Sequence, residues 1–70
     1  MRKRVVLDSS AIAGATYDSE RRTLVLEFRE GDTYRYFAVP QFAFDALLVA
    51  DSAGAFWNGV KDNYRYELLD

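Results

Sequence analysis

The sequence predicts a small α+β domain: a three- to four-stranded antiparallel meander with two short helices packed on one face. Three observations predict it. Thr23 to Arg29 alternates, with Leu24, Leu26 and Phe28 on one side, and the turn signal Glu30-Gly31-Asp32 follows it directly. Thr33 to Val39 then supplies a partner strand rich in aromatic and branched residues. After Pro40 the period changes: Phe44, Leu47 and Leu48 recur at helical spacing, as do Phe56 and Val60 further on. Seventy residues make one domain, spanning residues 1–70. A chain this short buries only about 60% of its unfolded surface, so its core is marginal. A content of 50% hydrophobic and 16% aromatic residues offsets that handicap.

The elements follow in order. Residues 1–4 read as a mobile basic tip, and Val5 to Leu7 as a short edge strand. Asp8-Ser9-Ser10 is a turn. Ile12 to Tyr17 is a strand in which Gly14 marks a bulge or a close backbone approach. Asp18 to Arg21 is a polar turn, and the hairpin of Thr23–Arg29 with Thr33–Val39 comes next. Pro40 ends the second strand and suits the first turn of a helix over Gln41 to Ala50. Ser52 caps a second, shorter helix carrying Phe56, Trp57 and Val60. Gly54 and Gly59 weaken that helix, or let backbone segments approach closely. Asn63 leaves the helix, and Tyr64 to Leu69 forms a last strand. The expected core is Leu24, Leu26, Phe28, Phe44, Leu47, Leu48, Phe56 and Val60, because each spacing gives one apolar face.

Hairpin register decides which residues share a face. A two-residue loop puts Phe37 and Val39 with Leu24, Leu26 and Phe28, and leaves Tyr34 and Tyr36 beside Glu27 and Arg29. A three-residue loop, with Gly31 as the bulge residue, swaps every side chain of the second strand. The even loop is preferred here because it gathers the purely apolar residues on one side.

Composition narrows the function. With no cysteine and no histidine, disulfides and zinc sites built on those residues are excluded, and so is a histidine-activated serine. The absence of cysteine fits a reducing, cytoplasmic setting. Net charge is −2 and the pI is about 5.0, which disfavours a strongly basic nucleic-acid footprint. No apolar stretch approaches the roughly 20 residues needed to span a bilayer, so no membrane partner is expected. The carboxylates fall in turns and at helix ends with no spacing that pairs an acid with a base. No phosphate-binding glycine loop is present, and neither a cofactor nor an enzymatic activity is expected.

What remains is a doubled triplet: Tyr34-Arg35-Tyr36 recurs as Tyr64-Arg65-Tyr66. On the preferred register, Tyr34 and Tyr36 lie near Arg29 on the sheet face away from the helices, a tyrosine–arginine face, and Arg35 of the same triplet joins them as a candidate ligand-binding residue. Such a face stacks bases and offers a guanidinium fork to phosphate. Cross-strand packing is the commoner role of such strand tyrosines. Trp57 cannot point the same way as its neighbour Phe56. It is assigned to the surface or to an interface, with weak homo-oligomerisation as the consequence.

The order and spacing of several short elements resemble the KTSC domain family, named for the C-terminal extension of some lysyl-tRNA synthetases. The matching residues are Ser9-Ser10 with Ile12, Tyr17-Asp18, Leu24-x-Leu26-x-Phe28 and Gly31-x-x-Tyr34-x-Tyr36 with Val39-Pro40. Ser52-x-Gly54-x-Phe56-x-Asn58 and then Tyr64 complete the set. The resemblance covers nearly the whole chain. It implies a small binding module without established activity, whose proposed role is RNA binding. Two readings therefore stand: single-stranded RNA or a nucleotide held by the tyrosine–arginine face, and a protein-interaction or self-association module using Trp57 and a helix or sheet edge.

Overall fold

The computed structural model describes residues 2–70. Its strands are β1 (Arg2–Val6), β2 (Ile12–Asp18), β3 (Thr23–Phe28), β4 (Thr33–Tyr36) and β5 (Tyr66–Leu68). Between β4 and β5 lie helices α1 (Gln41–Val49) and α2 (Ala53–Val60) and a 3-10 turn over Lys61–Asn63. The sheet is an antiparallel meander in the order β1-β2-β3-β4-β5, so the α+β class holds with one strand more than the sequence indicated. The edge strand expected over Val5 to Leu7 begins earlier, in the basic segment. Arg2, Lys3 and Arg4 pair with Asp18, Tyr17 and Thr16 instead of forming a mobile tip; Met1 lies outside the described residues. An edge strand carries charge readily because one of its flanks faces water.

Local signals set the connections. The Ser9 hydroxyl accepts from the Ala11 and Ile12 amides, each at 3.2 Å. The Asp18 carboxylate accepts from Glu20 and Arg21 and turns the chain into β3. Register slips between Ile12 and Gly14, which is the bulge expected there. Pro40, extended at φ −72°, is the N-cap of α1. Ser52 caps α2 as expected, its Oγ accepting from the Ala55 amide at 3.2 Å. At Gly54 a Cβ would stand 2.7 Å from that of Ala11, so α2 approaches the β1–β2 loop as only glycine allows.

Between the bonded residues Phe28 and Asp32 the hairpin has a three-residue loop, 29–31, and this overturns the preferred register. Phe28 donates to the Asp32 carbonyl at 2.8 Å and Gly31 to the Phe28 carbonyl at 3.0 Å. Gly31 takes φ +116°, a conformation that favours glycine. Leu24 therefore faces Tyr36 and Leu26 faces Tyr34. The tyrosines lie on the helix side of the sheet, and Phe37 turns to the open side with Arg65 over its ring at 5.5 Å. Val39 still reaches the core because Ala38, at φ 55°, breaks the alternation before it.

The core lies between the sheet and the helices. Leu24, Leu26, Phe44 and Leu47 are buried as expected, while Phe28, Leu48, Phe56 and Val60 are half-buried around them. Tyr17, Tyr36, Val39 and Trp57 are buried with them, as are Leu7, Ile12, Ala15, Ala43 and Ala53. Tyr17 stacks on Phe44 at 4.9 Å, and its hydroxyl donates to the Val39 carbonyl at 2.6 Å. Among the described residues no helix is long and apolar enough to cross a membrane.

Candidate functional site: a tyrosine cleft beside the last strand

Cross-strand register builds the site. Tyr36 pairs with both Leu24 and Tyr66, and Tyr34 pairs with Leu26 and Leu68. Three phenol rings thus converge on one face. Their centroids are 6.2 Å apart for Tyr34–Tyr36, 5.9 Å for Tyr36–Tyr66 and 5.6 Å for Tyr34–Tyr66. Phe28 sets its ring edge-on to Tyr34 at 5.7 Å. The rings wall a cleft of about 230 Å³ whose rim carries Glu30, Lys61 and Asp62. Tyr36 forms its floor at 4% exposure, while Tyr66 is the outer wall at 62%.

Trp57 supports the floor from below. Its ring stands edge-on to Tyr36 at 5.0 Å and stacks on Tyr64 at 5.5 Å with an interplanar angle of 6°. Burial pushes the Tyr36 hydroxyl above the usual phenol range; the nearby Trp57 indole N–H works the other way, and Tyr34, Tyr66 and Asp62 add to the rise. The indole and the hydroxyl do not reach hydrogen-bond geometry, so Trp57 Nε1 is a buried donor with no partner among the described residues. The neutral phenol offers both a donor and a ring face to whatever enters.

The arginines expected beside the tyrosines are elsewhere. Arg29 reaches back to the β1–β2 loop, donating through Nε to the Ser9 carbonyl and through Nη2 to the Leu7 carbonyl at 2.9 Å. Arg35 lies on the open face and pairs with Glu67 at 3.0 Å. The tyrosine–arginine face is therefore not formed: the odd loop puts Tyr34 and Tyr36 on the helix side, Arg35 alternates with them onto the open side, and Arg29 is held at the β1–β2 loop. Trp57, assigned to the surface from the sequence, is 1% exposed. The short helix turns Ala53 and Trp57, four residues apart, inward and leaves Phe56 at the flank. Tyr66, Lys61 and Asp62 were not singled out from the sequence. The repeated triplet was the one signal for Tyr66.

The open face carries its own ion pair. Arg4 donates twice to the Glu27 carboxylate at 2.9 Å. That hydrogen bond holds the Glu27 carboxyl below the ordinary glutamate range, against the burial that raises it, with the Arg4 charge adding to the lowering. A carboxyl lowered in the folded state contributes stability above its unfolded pKa and loses it as pH falls through the folded one. Urea midpoints should therefore decline as pH falls below the unfolded glutamate value of about 4.3, and Glu27→Gln should flatten that decline. Parallel slopes for the two proteins would refute the assignment.

Among the described residues no group of histidine, cysteine or acidic side chains could hold a metal ion. Sheet, helices and cleft together define a small α+β domain. Residues 8–66 match the KTSC domain model, and this chain belongs to the KTSC domain family. It is similar to a crystal structure of a KTSC domain protein from Yersinia pestis, with a TM-score of 0.92, 34% identity and full coverage of both chains. It is 46% identical over 70 residues to an uncharacterised protein of Stutzerimonas stutzeri, covering 97% of this chain and 99% of that one. A Tsukamurella paurometabola protein is 48% identical over 60 residues, covering 84% and 90%.

Proposed function

We propose that this protein is a non-catalytic interaction module whose tyrosine cleft receives an arginine side chain from a protein partner. The observation that carries this reading is the cleft's composition: three tyrosines and Phe28 below two carboxylates and one ammonium. Ring faces are negative and attract cations, and the guanidinium is the cation that also stacks flat. Glu30 and Asp62 add planar carboxylates suited to its fork of donors. Opposed by Lys61 alone, they leave the rim net negative, which works against phosphate.

Single-stranded RNA or a nucleotide is the competing ligand, supported by the exposed Tyr66 ring as a stacking surface. The arginines enlisted for that reading are bound to backbone carbonyls or to Glu67. Titration calorimetry with a short arginine-containing peptide tests the proposal. Tyr66→Ala should weaken binding about 2- to 30-fold, the range of one cation–π contact, while leaving the melting temperature near that of the wild type. Peptide affinity unchanged by Tyr66→Ala would overturn the proposal.

A further inference from the structure

The two sheet edges match each other. β1 carries Arg2, Lys3 and Arg4 and no acid. β5 carries Glu67 as its sole charged residue, between Tyr66 at 62% exposure and Leu68 at 58%. Each strand has a neighbour on one side only. An unpaired strand edge is a template for another strand unless charge or shape prevents it.

Hydrogen-bond parity shows how such a pairing would run. In β5 the Arg65 carbonyl accepts from Phe37, and the Leu69 amide donates to the Thr33 carbonyl. Odd residues therefore bond inward to β4, and the N–H and C=O of Tyr66 and Leu68 point out. In β1 the Leu7 amide donates to the Ala13 carbonyl, so Arg2, Arg4 and Val6 point their backbone groups out. The side chains of Lys3 and Val5 share the helix side with their partners Tyr17 and Ala15, and Tyr66 and Leu68 share it with Tyr36 and Tyr34. In a parallel pair, an outward-bonding residue lies opposite one whose own groups point away. Tyr66 and Leu68 therefore fit opposite Lys3 and Val5 only in parallel pairing, if both helix layers are to stay on one side. Five strands of alternating direction also make β1 and β5 point the same way, so simple head-to-tail repetition gives that parallel pairing.

We propose that β5 of one molecule binds β1 of a second copy, in parallel and head to tail, extending the sheet across both. Tyr66 meets Lys3 of the second copy, Glu67 meets Arg4, and Leu68 meets Val5. The contacts are a cation on a ring, an ion pair beside the existing Arg4–Glu27 pair, and an apolar pair. Pairing β1 with β1 would oppose cations, and pairing β5 with β5 would bring Glu67 against its own copy, so charge selects the heterologous contact. The contact leaves an edge free at each end, so it closes only in a ring. The inference rests on the sheet edges and not on the ligand of the cleft.

Sedimentation of the full chain and two edge variants tests it. Wild type should associate with concentration, and more weakly at high salt. Arg2→Glu with Lys3→Glu disables the β1 edge. Leu68→Pro disables the β5 edge by removing an outward amide that bonds nothing in the sheet. With native circular dichroism verified, each variant alone should associate at least about tenfold more weakly than wild type. Mixed together, they should form a 1:1 dimer that grows no further, since each retains the edge the other lacks. Monomeric wild type at every concentration would overturn the proposal. Undiminished association of either variant alone, or failure of the mixture to dimerise, would overturn it too.

Discussion

Replacing Trp57 with alanine is expected to cost about 3–5 kcal/mol, a large part of the roughly 5–15 kcal/mol that holds a domain folded. The indole is 1% exposed and fills the space under Tyr36 and against Tyr64. No neighbour is placed to collapse into that volume, because Tyr36 is fixed by β3 on one side and β5 on the other. Trp57→Phe is the informative control. It keeps the stack on Tyr64 and removes the indole N–H, a buried donor without a partner among the described residues. Leaving such a donor unpaired costs about 1–3 kcal/mol, so phenylalanine should recover much of the loss. Urea denaturation of the two variants checks both statements. An alanine variant as stable as wild type would return Trp57 to the surface.

Leu26→Ala should cost about 2–5 kcal/mol. Leu26 is fully buried at the centre of β3, between Ala15 of β2 and Tyr34 of β4. Both flanks are backbone-paired strands, which cannot close over a missing isobutyl group. The effect should appear in the denaturation midpoint with an unchanged slope, since the surface exposed on unfolding stays nearly the same. A midpoint unmoved by the substitution would contradict the position of β3 in the core.

These two residues also show how far the sequence could be read. β3 was legible because Leu24, Leu26 and Phe28 fall on one face with Val25, Glu27 and Arg29 on the other, and both helices were legible from the 3.6 period after Pro40 and Ser52. The hairpin register was misjudged for a definable reason. Gathering the purely apolar residues on one side treats tyrosine as polar, yet its ring is a large apolar body with one wet end. Gly31 at the third loop position was the better signal, since a three-residue hairpin asks for a residue of positive φ there. That single choice moved Tyr34 and Tyr36 to the helix side and dissolved the arginine–tyrosine face.

Trp57 and β1 were misplaced by judging residues singly. Phe56 and Trp57 are adjacent, so one had to leave the core, and bulk alone did not say which; the inward row from Ala53 did. Arg2-Lys3-Arg4 read as a solvated tip because charge usually marks solvent, but on an edge strand the same charges sit beside paired backbone. The cleft itself was out of reach. It requires β4, β5 and the turn at Lys61–Asn63 to meet, and β5 contributes to it from the far end of the chain.

The central claim is that the tyrosine cleft recognises a cationic planar side chain, and chemical-shift mapping tests it most directly. N-acetyl-arginine amide and uridine 5′-monophosphate are titrated separately into isotope-labelled protein at low and moderate salt. The account predicts saturable shifts at Phe28, Tyr34, Tyr36, Tyr66 and Asp62 with the arginine derivative, and far weaker ones with the nucleotide. Saturable shifts of the same residues by the nucleotide alone, weakening steeply as salt rises, would contradict it and favour the nucleic-acid reading.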